Sequence, residues 1–385
     1  MISRNSVGDA YPTKRLGDVV EFLDSMRRPV TESDRRAGQY PYYGANGLQG
    51  TIDDFIFDEP LVLLAEDGGH FGAPDRGIAY RVSGRTWVNN HAHVLRPKAD
   101  MDLGFLCRVL ENYDVTPWVT GTTRGKLTQA GASEIVVPVP PLPEQRRIAE
   151  ALDCVEAIRA KRRCALAQLD ILAQSVFFDM FGDPVTNPKG VNIEPLGDHL
   201  LFVTSGGRDW AKFYAPTGSR FIRSLDVQMN HIAEDDIACV AAPDNAEARR
   251  TCVKVGDVLL TITGSRIGRV APVPDDLKGS YISQHVAILR IDSKGLQPHF
   301  VSFFLSMAAG GQRQIAKAQY GQTKPGLNFE QIRRFQIPVP RIELQREFAR
   351  RIGAVDKLKT VHRSSLTELD ALFATLQHRA FLGEL

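Results

Sequence analysis

Two stretches of the chain repeat apolar residues every three or four positions. Ile148, Leu152, Val155 and Ile158, then Leu166, Leu169, Leu172 and Val176, make the first stripe. Phe348, Ile352, Val355 and Leu358, then Leu366, Leu369, Leu372 and Leu376, make the second. This period is the seam of an amphipathic helix. No Gly or Pro interrupts Glu144 to Phe181, so the spacing predicts a rod of roughly 57 Å at 1.5 Å per residue. Gly182-Asp183-Pro184 supplies its stop. The second rod contains one internal Gly353 and ends near Gly383. A narrow stripe flanked by Arg159, Lys161, Arg162 and Arg163 asks for a partner helix. The twin rod is the natural partner.

Each rod follows a proline-rich stop, PVPPLPEQRRI at 138–148 and PVPRIELQREF at 338–348. The two align with an offset of 200 and no gap, and the register extends upstream to GTTRGKLT (121–128) over GQTKPGLN (321–328). Further back the offset drifts as loop insertions would make it. VNNHAHVLR (88–96) matches ISQHVAILR (282–290), and RLGDVVEF (15–22) matches PLGDHLLF (195–202). Matched pieces keep their order, which is the signature of a tandem duplication. The segments before each rod hold short β-rich runs such as LVLLAE (61–66), VLLTIT (258–263) and HVAILRI (285–291), split by turns and a few helical stretches. The predicted order is globule, rod, globule, rod.

Composition changes this picture little. At 385 residues two domains are expected, and 43% hydrophobic and 24% charged residues are those of a soluble globular protein. No run reaches the roughly 20 apolar residues of a membrane span. Five scattered cysteines without a C-x-x-C pair suggest reduced thiols and a cytoplasmic location. A net charge of +2 neither requires nor forbids nucleic acid, which needs a local basic surface.

No catalytic pattern emerges. His91-x-His93 has strand spacing for a metal, but no third ligand recurs nearby. GTTRGK (121–126) is a residue short of a phosphate loop and has Leu127 where Ser or Thr would hold magnesium. PDDLKG (274–279) reads as a polar hairpin, and GANGLQG (44–50) opens no helix. What remains are polar loop clusters at matched places. Thr122, Thr123, Arg124 and Lys126 answer to Gln322, Thr323, Lys324 and Asn328. Asn89, Asn90 and His91 answer to Ser283, Gln284 and His285, and EDGGHFG (66–72) to TGSRIG (263–268). Arg and Lys suit phosphates and guanine edges, while Asn and Gln suit adenine. With Tyr43, Asn46, Arg208, Arg223, Ser265 and Arg266, these loops make the candidate DNA-binding set. A scaffold that keeps its strands and rods while its loop tips diverge has the form of two readers of different sequences. The competing reading is a helical adaptor whose globules bind protein.

At this point VPVPPLPEQRRIAEALD, IPVPRIELQREFARRI and the loops quoted above resemble specificity subunits of type I restriction-modification systems. YPYYGANGLQG with WVNNHAHVLRP, and GDVLLTITGSRIGRVAPV with SQHVAILRI, look like two kinds of that family's target recognition domain. The resemblance implies an α+β fold with two globular target recognition domains (12–142 and 190–341). Two long antiparallel helices (143–182 and 342–385) would form a coiled-coil spacer with pseudo-two-fold symmetry. It implies a non-catalytic subunit reading a bipartite, asymmetric DNA site. Two modification subunits would carry S-adenosylmethionine, and restriction subunits would use ATP and Mg. No cofactor or metal is expected in this chain.

Overall fold

The structure, a computed structural model, describes residues 11–73, 76–121, 124–319 and 326–385. Its chain divides into two compact units, 1–165 with 362–385, and 166–361. The division falls inside the long helices, not at the globule–rod junctions. Each unit is therefore one globule plus one half of each helix.

The units repeat the same topology. In the first, strands Val20–Phe22, Ala92–Pro97, Leu61–Ala65 and Ala79–Val82 lie side by side in that order, all antiparallel. In the second, Leu200–Ser205, Val286–Ile291, Asp257–Thr261 and Val270–Pro272 repeat it. The inner strands Leu61–Ala65 and Asp257–Thr261 are buried along their whole length, as their continuous apolar runs require. A second four-stranded sheet in each unit contains one parallel pair, Tyr42 and Tyr43 beside Trp87 and Val88, and Phe221 and Ile222 beside Tyr281 and Ile282. The Asp275–Leu277 turn links strands of the two different sheets, so PDDLKG is a crossover and not the expected hairpin.

The prolines close each globule. Thr13–Arg15 pairs with Val136–Pro138, and Ile193–Pro195 pairs with Gln336–Pro338. These are two-stranded pairs, an edge setting that tolerates a residue without an N–H. The chain then enters the helices Leu142–Phe181 and Ile342–Leu382. In the first turn of each helix sits a fully buried glutamine. Gln145 accepts from the Asp102 amide at 2.7 Å and donates to the carbonyls of Asp100 (2.9 Å) and Pro140 (2.8 Å). Gln345 accepts from the Gln297 amide at 2.8 Å and donates to Gly295 (3.0 Å) and Pro340 (2.7 Å). Each carboxamide thus fastens the helix start to the segment entering the globule's own helix, Leu103–Glu111 or Pro298–Ser306.

Past the clasp, Ile148, Leu152 and Val155 join the first core with Phe105, Phe373 and Phe381. Phe348, Ile352 and Val355 join the second with Ala173, Phe177 and Phe300. Leu166, Leu169, Val176, Leu366, Leu369 and Leu376 are half-buried. The expected seam needs correcting at Ile158, Leu172, Leu358 and Leu372, which are 39, 47, 53 and 45% exposed. The helix period delivers Ala173, Phe177 and Phe373 to the cores instead, and near these four positions the helices meet through charge. In the first unit Arg159 pairs with Asp370 at 2.6 Å, and in the second Lys359 pairs with Asp170 at 2.7 Å. Each ion pair is the other's repeat, and the pairing is antiparallel. The first long helix also carries one 18-residue window of mean hydropathy 1.3, enough by length and composition for a membrane span. Its Ala173, Phe177 and Phe181 lie in the second unit's core.

Removing a clasp leaves one buried amide and two buried carbonyls without their side-chain partner. Gln145→Ala and Gln345→Ala are each expected to cost about 2–4 kcal/mol in denaturant unfolding. Exposed Gln174→Ala should stay within about 0.5 kcal/mol of the parent.

Candidate nucleic-acid interface

In each unit the buried inner strand ends in a loop fixed by the same main-chain bonds. In the first unit the Glu66 amide donates to the His91 carbonyl (2.9 Å) and the Leu127 amide to the Glu66 carbonyl (2.7 Å), with Asp67 bridged to Lys126. In the second, the Ile262 amide donates to His285 (2.9 Å) and Leu327 to Ile262 (2.9 Å), with Thr263 bridged to Gly326. Three chain segments therefore converge on one node in each globule: the strand's exit, the histidine turn and the segment leading to the last short helix.

The first node is built of charge. One Asp67 oxygen accepts from His91 Nδ1 at 2.5 Å and from Arg124 Nη2 at 2.8 Å. Behind it, Glu66 pairs with Lys126 at 3.1 Å and with Arg27 at 2.6 Å. Burial pushes the Glu66 carboxyl up, but hydrogen bonds from Arg27 and Lys126 outweigh it and hold the group below the usual carboxylate range. Arg124 is 61% and Lys126 50% exposed, so their acidic partners lie beneath cations that still face solvent. Gly68, at φ +64°, turns the chain there and accepts the Asn46 amide at 3.0 Å.

Asp24, Glu66 and His93 bring three metal-type ligands together. Arg27 lies among them, 2.6 Å from Glu66 and 3.3 Å from Asp24, and supplies the balancing charge. His93 itself is 1% exposed and faces Asp24 at 2.6 Å and the Leu127 carbonyl at 2.8 Å. It belongs to the scaffold, and His91 to the surface.

Tyr43 and Asn46 line a cleft of about 550 Å³ with His70, Arg76, Tyr80 and Glu111. The Tyr43 and Tyr80 rings are 5.9 Å apart, and Tyr80 donates to the Gly44 carbonyl. Asn90 is exposed on the histidine turn.

In the second unit His285 Nδ1 lies 3.3 Å from the Thr263 hydroxyl, and its Nε2 is 3.4 Å from the Gln284 amide nitrogen. Ser265 and Arg266 are exposed on the loop after the strand, with Arg266 donating to the Leu225 carbonyl at 3.1 Å. Arg208 is exposed beside Asp209, which has φ +61°.

Three of the expected contact residues have other work. Asn89 is buried, accepting from the His91 amide at 2.8 Å and donating to Gln49 at 3.1 Å, so it builds the histidine turn. Arg223 grips the buried Asp226 at 2.9 and 3.1 Å and reaches Asp236 at 3.2 Å, which fixes its own loop. Asn328 closes a capping box on Phe329–Arg333. Its repeat equivalent is Thr128, the N-cap of Gln129–Ser133, and not Lys126. Thr122, Thr123, Gln322, Thr323 and Lys324 lie outside the described residues. The residues missing from the sequence reading are Glu66, Asp67 and Thr263. Their only sequence signal was a polar residue directly after a buried strand in both halves.

Comparison with known proteins places this geometry. The profile of the type I restriction modification DNA specificity domain matches residues 9–166 and 244–371. A putative type I restriction enzyme specificity subunit of Haemophilus influenzae is 35% identical over 154 residues, 40% of each chain. The MjaVIII specificity subunit of Methanocaldococcus jannaschii is 18% identical across 98% of this chain and 94% of its own. The EcoKI specificity subunit of Escherichia coli K12 is 22% identical across 95% and 88%. The crystal structure of the S subunit from M. genitalium has the same fold, with a TM-score of 0.66, 13% identity and 96% of both chains covered. Matched by that family profile in both of its repeats, the chain belongs to the specificity subunits of type I restriction-modification systems.

Proposed function

We propose that this chain is the non-catalytic DNA reader of a cytoplasmic type I restriction-modification complex. Its two globules would read the two halves of a bipartite, asymmetric site. The observation that carries the reading is the repeated node. The same main-chain frame occurs in both units, while the side chains it holds toward solvent differ, with Arg124 and Lys126 in one and Ser265, Arg266 and Gln284 in the other. An adaptor with two copies of one protein-binding globule has no need of such divergence.

In the first unit the cations meeting phosphate are Arg124 and Lys126, with Asn46, Asn90 and His91 near base edges. In the second they are Arg208 and Arg266, with Ser265, Gln284 and His285. Methyl transfer, with S-adenosylmethionine, belongs to two modification subunits. Restriction subunits would add ATP- and Mg-dependent functions. The modification subunits would dock on the long helices. Each unit exposes one apolar residue from each helix beside its cross-helix ion pair, Ile158 with Leu372, and Leu172 with Leu358. The repeat makes these two sites equivalent, one for each copy of the same partner.

Three outcomes test this reading. Exchanging residues 190–341 for the matching segment of another specificity subunit should change one half of the methylated motif and leave the other intact. Arg124→Glu with Lys126→Glu should weaken DNA binding and make log K against log salt shallower by about one unit per lost phosphate contact. Finally, Ile158→Asp with Leu372→Asp should remove one modification subunit, and Leu172→Asp with Leu358→Asp the other, as read by native mass spectrometry.

A further inference from the structure

The two nodes share a histidine and differ in what holds it. His91 and His285 occupy one position of the repeat, because each carbonyl accepts the amide that ends the buried inner strand, at 2.9 Å in both units. Asp67 and Thr263 likewise share a position, each bridging to the segment before the last short helix. In the first unit Nδ1 meets a carboxylate at 2.5 Å, and in the second a hydroxyl at 3.3 Å. His91 is 35% exposed and His285 is half-buried, so neither ring is wholly enclosed.

We propose that Asp67 and Thr263 are positioning residues that set which base-pair edge the histidine reads in each half-site. This rests on the DNA-reading function above. An ionised carboxylate only accepts, so Nδ1 of His91 carries the hydrogen. The neutral ring then offers Nε2 as an acceptor, suited to an exocyclic amine of adenine or cytosine in the major groove. A threonine hydroxyl donates or accepts, so His285 can adopt either tautomer and meet a donor or an acceptor. Its neighbour Gln284, with Nε2 3.4 Å from the ring's Nε2, adds a side chain able to grip adenine. Asp67 has a second task with no counterpart at Thr263: the same oxygen holds Arg124 at 2.8 Å. A single exchange at this position therefore changes both the ring's hydrogen and the aim of a guanidinium.

The test uses the full chain with its modification subunits, expressed in a host without other methyltransferases, and maps methylated DNA across the genome. The parent should give one bipartite motif. Asp67→Thr should shift the preference at one base pair of one half-site by about tenfold. Thr263→Asp should do the same at one base pair of the other half-site. A parent without any motif overturns the DNA-reading function itself. A parent motif that both variants reproduce unchanged overturns this inference alone, as does a folded variant that loses methylation without altering base preference. Where an exchange prevents assembly, His91→Gln and His285→Gln replace it and must each change one base pair in their own half-site. An unchanged motif from these variants also overturns the inference.

Discussion

A buried glutamine at the start of each long helix holds the rest of the arrangement in place. A helix leaves its first amides unpaired and its entry angle unset. Here the proline segment ends the closing strand pair, and the carboxamides of Gln145 and Gln345 tie the first turn to main-chain groups of the globule. Glutamine has both an acceptor and two donors, so a single side chain satisfies one amide and two carbonyls. Glutamate would lack the donors, and leucine would leave all three backbone groups dry. A globule fastened this way cannot pivot freely on its helix, and a reader that cannot pivot meets DNA in one orientation.

Net charge says little about such a reader. The exposed cations of the first node stand over Glu66 and Asp67, so the local field is partly cancelled before DNA arrives. An ion-paired guanidinium is aimed and carries less freely available charge than an isolated one. This favours discrimination between sites over indiscriminate affinity for phosphate. It also fits a chain of net charge +2.

Much of the fold was legible because it depends on period and punctuation. The two rods, their proline entries and the Gly182 stop follow from apolar spacing and backbone-restricted residues, and the duplication follows from register. The seam was misread in the middle of the helices. A stripe continued by spacing alone does not show that contact there passes from apolar residues to Arg159–Asp370 and Lys359–Asp170. The site was less legible for a different reason. Asn89, Arg223 and Asn328 have the residue types that contact bases, but those types also build turns, clamp loops and cap helices. Sequence shows the donors and acceptors and conceals the partner. Asp67 was overlooked for the converse reason, since an acidic residue is not what a search for DNA contacts seeks.

The main-chain frame of the node explains how two such different readers could come from one ancestor. Its bonds run from amide to carbonyl among Glu66, His91 and Leu127, and again among Ile262, His285 and Leu327. None of them requires a particular side chain at position 67 or 263. Backbone bonds therefore fix where the loop tips stand, and the side chains on them can change without unravelling the strand beneath. The glutamine clasp and the cross-helix ion pairs are the opposite case. They depend on side chains, and both halves retain them, with Lys359 in place of Arg159 as the one exchange. The chain has preserved side chains where they hold the scaffold, and varied them where the backbone alone suffices.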